Sequence, residues 1–166
     1  MAPAGSASLP YRPCVGIMLI NRHGRIWLGR RSSVPDEEGS GHWWQMPQGG
    51  IDEGEEPVKA AARELFEETG VRSASLLAEA PGWYYYDLPA HLLGVSWKGK
   101  YGGQKQRWFA FRFTGDDTEI DIAPQDHKPE FDRWRWVGID EIASLVVPFK
   151  RKVYEQVIEA FRPLVA

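Results

Sequence analysis

A chain of 166 residues and 18.9 kDa, carrying 20 basic and 23 acidic residues for a net charge of -3, has the size of a single domain. That balance excludes a generally basic nucleic-acid coat but leaves room for a local phosphate-binding patch. The one cysteine, Cys14, excludes an intramolecular disulfide, and the apolar run around it suits a packed thiol better than a catalytic one. Such a chain is long enough to bury roughly 70% of its extended surface. The opening residues lack the charged-then-apolar pattern of a signal peptide, and no stretch is long and apolar enough to cross a membrane, so the cytoplasm is the default location.

In chain order, residues 1–10 are small and rich in Pro, Gly and Ser, which predicts a flexible segment ahead of one domain over 11–162 and a short tail at 163–166. The β-branched run at 13–20 predicts a central strand, turned at 21–24 into a second strand at 25–29. Arg30 and Arg31 follow, then residues 32–41, whose lack of pattern predicts a mobile loop. An aromatic-flanked turn, Met46-Pro47-Gln48-Gly49-Gly50, leads through an acidic loop to a helix over Pro57–Thr69. Pro57 suits a first helical position and Gly70 a left-handed cap. At helical spacing, Val58, Ala61, Ala62, Leu65, Phe66 and Thr69 form one packing stripe, with Glu64, Glu67 and Glu68 beside it. Three carboxylates late in a helix repel one another and the helix dipole, so a cation is expected among them, and a hard divalent metal fits oxygen ligands.

Beyond the helix, residues 74–79 predict a strand, and Pro81-Gly82 breaks it before the aromatic run 83–89. That run reads as a packed strand or as a platform for a base, with packing favoured by composition. A glycine-rich basic loop is expected over 98–107. Alternation of Trp108, Ala110 and Arg112 against Phe109, Phe111 and Phe113 then predicts a strand. The acidic tract 116–121 should turn away from any phosphate site. Residues 127–137 predict a loop and a further strand, with Asp140 capping a short helix at 141–145. A final helix over 149–161 packs through Val153, Val157, Ile158 and Phe161. Helices on both sides of a mixed sheet make an α/β/α sandwich.

Gly49, Glu55, Arg63, Glu64, Leu65, Glu67, Glu68, Gly70 and Val71 fill, without a gap, a pattern that resembles the Nudix box. The chain is therefore similar to the Nudix hydrolases, which implies a Nudix-type α/β/α sandwich and metal-dependent hydrolysis of a nucleoside diphosphate linked to another group. The wider likeness runs from Tyr11 to Phe161. Its segments Tyr11-Arg12-Pro13, Gly103-Gln104-Lys105-Gln106-Arg107, Pro129-Glu130-Phe131-Asp132 and Pro148-Phe149-Lys150-Arg151 look like bacterial RNA pyrophosphohydrolases and the closely similar dinucleoside polyphosphate hydrolases. Two departures concern substrate preference alone: Cys14 stands where Asn is frequent, and the loop at 32–41 is longer than in the shortest members.

The resemblance implies Mg2+, with Mn2+ able to substitute, as two or more ions in the substrate complex. Glu64, Glu67, Glu68 and Glu130 would act in metal binding and catalysis, with the Gly49 carbonyl as a further ligand. The base remains open between Glu64, Glu67 and a metal-activated water oriented by Glu130. Glu55 and Arg63 would pair to hold the loop on the helix, alongside the Gly70 cap. Arg12, Arg30, Arg31, Lys105 and Lys150 are candidates for gripping phosphates, and Tyr84, Tyr85 and Phe149 for stacking a base. His42 and His127, with no cysteine partner, do not make a zinc site. The expected substrate is 5′-triphosphate RNA in RNA decay, the alternative diadenosine tetraphosphate cleaved to ATP and AMP. A noncatalytic module that binds RNA 5′ ends is the rival of another class. Neither a membrane nor an obligate protein partner is called for.

Overall fold

Two long strands with both faces buried decide the architecture of the protein, which a computed structural model describes over residues 9–32, 43–94, 99–123 and 129–165. In β1 (Tyr11–Ile20), Val15, Ile17 and Leu19 enter one hydrophobic cluster while Met18 and Ile20 enter the other. In β7 (Gly103–Phe113), Trp108 and Ala110 face the second of these clusters and Phe109, Phe111 and Phe113 the first. The alternation expected on this strand is what the structure has. The two strands run parallel along the whole of β1, from Tyr11 opposite Gly103 to Ile20 opposite Arg112.

Around this pair the sheet is built from β2 (Ile26–Arg31), β3 (Trp44–Gln45), β4 (Gln48–Gly50), β5 (Ala74–Glu79), β6 (Tyr84–Asp87) and β8 (Phe131–Val137). The strand order is β3-β2-β1-β7-β5, with β4 joined to β1, β6 to β7 and β8 to β2. All pairings except β1–β7 are antiparallel, so the sheet is mixed. The glycine-rich segment expected as a loop becomes strand from Gly103 onward. Its backbone is hydrogen-bonded on both edges, to β1 and to β6, and Gly103 meets the Tyr86 backbone where a side chain would not fit.

Helix α1 (Pro57–Thr69) covers the face lined by Val15, Ile17, Leu19 and Phe109. Helices α2 (Ile142–Leu145) and α3 (Arg151–Phe161) cover the opposite face, completing the α/β/α sandwich. Pro57 starts α1, and Gly70, at φ 74°, ends it by donating its N–H to the Phe66 carbonyl. The packing face of α1 is rotated from the expected one. Ala60, Ala61, Glu64, Leu65 and Thr69 are buried, whereas Ala62 is exposed and Phe66 is 41% exposed under the Arg72 guanidinium. The helix turns its acidic flank toward β4, and that displaces Phe66 from the interface.

Two smaller differences concern the last helices. Glu141, not Asp140, accepts the Gly138 N–H at the entry to the short helix, because Asp140 is drawn to Arg162 at 2.9 Å. Residues Pro148–Lys150 form a tight 3-10 turn, so α3 begins at Arg151, and Tyr154 joins its buried face. After α3, Leu164 and Val165 pack against the core. The acidic tract sits at the far end of α1, where Glu119 accepts the N–H groups of Arg72 and Ser73. The expected flexible residues 1–8, the loop over 33–42 with His42, Lys98, and His127 lie outside the described residues. Among the described residues no helix is long and apolar enough to cross a membrane.

Candidate functional site

Strand β4 is three residues long, and α1 lies close against it. The Gln48 N–H donates to the Glu68 carboxylate at 3.0 Å, tying the strand to the late turn of the helix. One residue on, a Cβ at Gly49 would overlap the Glu64 carboxylate, so only glycine lets that side chain in. A Cβ at Gly50 would come within 2.7 Å of the Arg12 guanidinium. Glycines 49 and 50 thus admit an acid from one side and a base from the other.

Arg63 fixes the loop that precedes the helix. It donates twice to Glu55, at 2.9 Å each, and once to the Gly50 carbonyl at 2.9 Å, while Glu67 lies 3.2 Å away. This planar two-point pairing is specific to guanidinium. The arginine holds the Glu55 carboxyl down at about 2, helped by the Asp52 N–H that Glu55 also accepts.

Glu64 and Glu68 have the opposite electrostatics. Burial pushes the Glu64 carboxyl up to about 7, against the pull of Arg63 and with the push of Glu67. Burial also raises Glu68 well above the carboxylate range, and the charges of Glu130 and Glu64 raise it further. On the other flank, Lys150 is buried and donates to the Gln45 side-chain oxygen at 3.2 Å. Desolvation pulls its ammonium down to about 7, with Arg31 pushing the same way and Glu130 and Glu68 opposing. Arg31 Nε is buried with no acceptor among the described residues, and Gln48 Oε1 is buried with no donor.

The structure therefore brings Arg12, Arg31, Glu64, Glu68, Glu130 and Lys150 within electrostatic reach of one another around β4. Glu67 stands at the rim with Arg63. Other candidates are dispersed. Arg30 turns to Asp132 through two hydrogen bonds at 2.8 and 3.1 Å: strand alternation sends Arg30 and Arg31 to opposite faces, and the register shift leaves Asp132 as the extra residue of β8, beside Arg30. Lys105 rests over the Trp83 ring at 4.7 Å. Strand alternation separates the aromatic trio: Tyr85 packs edge-on against Tyr11, while Phe149 packs on Tyr86, which shares its face of β6 with Tyr84.

Gln45, Gln48 and Tyr154 were not singled out by the sequence, yet they line this place. The Tyr154 hydroxyl accepts the Met46 N–H at 3.0 Å, anchoring the Met46–Pro47 turn to α3. A glutamine buried beside a proline turn leaves no mark in composition or period.

Among the described residues no group of three His, Cys, Asp or Glu side chains closes into a metal-holding cluster. The donors nevertheless fit a hard divalent cation. Glu64 and Glu68 are desolvated carboxylates, near enough for the charge of Glu64 to raise Glu68, and Gly49 leaves space where a side chain would block.

Comparison with known proteins agrees with this geometry. The NUDIX domain matches residues 10–157. The RNA pyrophosphohydrolase of Rhizobium meliloti (strain 1021) is 60% identical over 161 residues, covering 95% of this chain and 96% of that one. The RNA pyrophosphohydrolase of Mesorhizobium japonicum is 59% identical, covering 95% and 93%. Among solved structures, a C. elegans Ap4A hydrolase binary complex has the same fold, with a TM-score of 0.65 at 17% identity, covering 92% of this chain and 96% of that one.

Proposed function

From the premise that the chain belongs to the NUDIX domain family and hydrolyses phosphoanhydride bonds, we propose that it removes pyrophosphate from 5′-triphosphate RNA, leaving a 5′-monophosphate end. The observation that carries this reading is the meeting of two unlike pairs at β4. The desolvated acids Glu64 and Glu68 suit a cation, and the buried Lys150 with Arg31, half-buried and with its Nε enclosed, suits a phosphate chain. The high identity to RNA pyrophosphohydrolases over nearly the whole chain supports RNA rather than a dinucleotide as the substrate. Such a reaction belongs in the cytoplasm, where RNA decays.

Hydrolysis at phosphorus needs the attacking and leaving oxygens in line and the charge on the phosphoryl oxygens neutralised. Glu68, Glu64 and Glu130, with the Gly49 carbonyl and Glu67 alongside, would hold magnesium or manganese, which when bound neutralises phosphate charge and acidifies water. Arg31, acceptor-free at Nε, and Arg12 grip phosphate oxygens from the two sides of β4. Lys150, near its midpoint of protonation at neutral pH, gains its full charge when a phosphate arrives. Glu64, packed against Gly49 beside Glu68, would take the proton of the attacking water, or Glu130 would orient a metal-activated water in its stead. The Glu55–Arg63 pair keeps these groups in place.

The test is hydrolysis of 5′-triphosphate RNA with magnesium, with both products identified. Pyrophosphate release with oxygen from labelled water on a product phosphate is expected. Successive release of orthophosphate would contradict the proposed bond. Cleavage of diadenosine tetraphosphate to ATP and AMP with RNA untouched would move the substrate to the dinucleotide class.

A further inference from the structure

Strands β3, β2 and β8 lie side by side, and one face of this row carries a basic and aromatic set that the site above does not use. Trp44 stands opposite Arg30 across β2–β3, and Arg30 stands opposite Arg133 across β2–β8. Leu28 stands opposite Arg135, so Trp44, Arg30, Arg133 and Arg135 share one face of the row. The Arg135 guanidinium lies 4.4 Å from the centre of the Trp44 ring. Arg133 and Arg135 are exposed, and Asp132, hydrogen-bonded to Arg30, also feels the charge of Arg133. An arginine stem laid over an indole is ordinary surface packing and accounts for Arg135. It does not account for Arg133, which stands opposite Arg30 with the one carboxylate Asp132 shared between two cations.

The position of the patch connects it to the site. Trp44 immediately precedes Gln45, whose side chain accepts the Lys150 ammonium. Arg30 immediately precedes Arg31, and β8 begins at the residue after Glu130. All three strands lead away from the place where the phosphates are held.

Resting on the RNA reading, we propose that this strip is the track for the single-stranded RNA that follows the 5′ phosphates. Its chemistry fits that occupant. Arg133 contacts a backbone phosphate as a charge. Arg135 offers its guanidinium plane, backed by Trp44, as a stacking surface for a base. A dinucleoside polyphosphate, which has no continuing strand, makes no use of either.

The roles separate by substitution. Arg133→Ala is expected to raise KM for 5′-triphosphate RNA about 5-fold and to reduce the salt slope by about 1, with Arg133→Lys close to wild type. Arg135→Ala is expected to raise KM about 10-fold, and Arg135→Lys should not rescue it, since an ammonium cannot stack as a plane. Both sites are exposed, and unchanged hydrolysis of diadenosine tetraphosphate by every variant certifies the catalytic centre. Wild-type protein that cleaves RNA, with variants that match it in KM and salt slope, overturns the strip alone. Equal losses on the dinucleotide overturn it too. Wild-type protein that cleaves the dinucleotide and no RNA overturns the substrate reading, and the strip with it.

Discussion

Gly49 and the Glu64 carboxylate occupy adjoining space with no room for a methyl group between them. Two elements far apart in character, a three-residue strand and a helix, are thereby held in contact by a missing side chain. Gly49→Ala should fold, because its neighbours can shift, but should move Glu64 from its place. A misplacement of that order lowers kcat/KM roughly 100-fold. Turnover of RNA or diadenosine tetraphosphate, with circular dichroism as the folding control, checks this. Full activity in a folded variant would mean that the position of Glu64 is not critical.

Charge at Glu68 should matter more than its bulk. Glu68→Gln keeps an acceptor for the Gln48 N–H and removes a ligand, and turnover with magnesium should fall at least about 100-fold. Glu64→Gln should be as severe. Glu141→Gln retains the oxygen that accepts the Gly138 N–H and should leave rates near normal. Retention of full rate by Glu68→Gln at limiting magnesium would remove Glu68 from the metal site.

Removing the support behind the carboxylates should also be visible. Arg63→Lys loses the planar pairing with Glu55 and the bond to the Gly50 carbonyl, and roughly 10–100-fold in kcat/KM or metal affinity should go with it. Magnesium titration of the rate is the measurement. An unchanged titration would reduce the pair to surface decoration.

The raised carboxyl of Glu64 makes a stability prediction. Its folded value of about 7 lies above the ordinary 4.5, so its contribution is full below about 4.5, falls as pH rises from there, and is gone once pH passes about 7. In chelator, wild-type melting temperature should therefore drop between about pH 4.5 and 7, and level off above, relative to Glu64→Gln, whose amide does not titrate. Magnesium should narrow the gap at the alkaline end by neutralising the charge. Parallel melting curves across that range would rule out a buried, ionisable Glu64.

Neighbouring residues should behave unequally at the substrate end. Arg31→Ala should cost far more kcat/KM than Arg30→Ala, because Arg31 lies within charge reach of the buried Lys150 while Arg30 is engaged by Asp132. Phe149→Ala should weaken substrate binding by roughly 1–3 kcal/mol if it is a base platform, and Tyr85→Ala, packed on Tyr11, should not. Equal effects of the two aromatic substitutions would show that strand alternation does not sort them.

Punctuation and periodicity carried most of the fold. Pro57 and Gly70 marked the ends of α1, and the alternation from Trp108 to Phe113 marked a strand buried on both sides. What escaped depends on contacts between distant segments. Apolarity ranks Phe66 inside and Glu64 outside, and the approach of β4 reverses them. Arg30 and Arg31 look equivalent until β2 runs on through both, setting them on opposite faces, and the extra residue of β8, Asp132, engages Arg30. Gln104 and Gln106 read as loop residues, yet they form a buried chain in which Trp108 donates to Gln106 and Gln106 to Gln104.

The parallel ladder of β1 with β7 has a consequence for synthesis. Residues Tyr11–Ile20 leave the ribosome ahead of the rest of the sheet, but their longest partner, Gly103–Phe113, is made only after α1, β5 and β6. Closing so long a loop is slow and brings its reward late. Arg12 therefore waits at the end of an incompletely paired strand, and Lys150 arrives later still. A nascent chain has the acidic helix early but lacks the cations that would complete it, so phosphate-cleaving capacity is withheld until synthesis has passed Lys150.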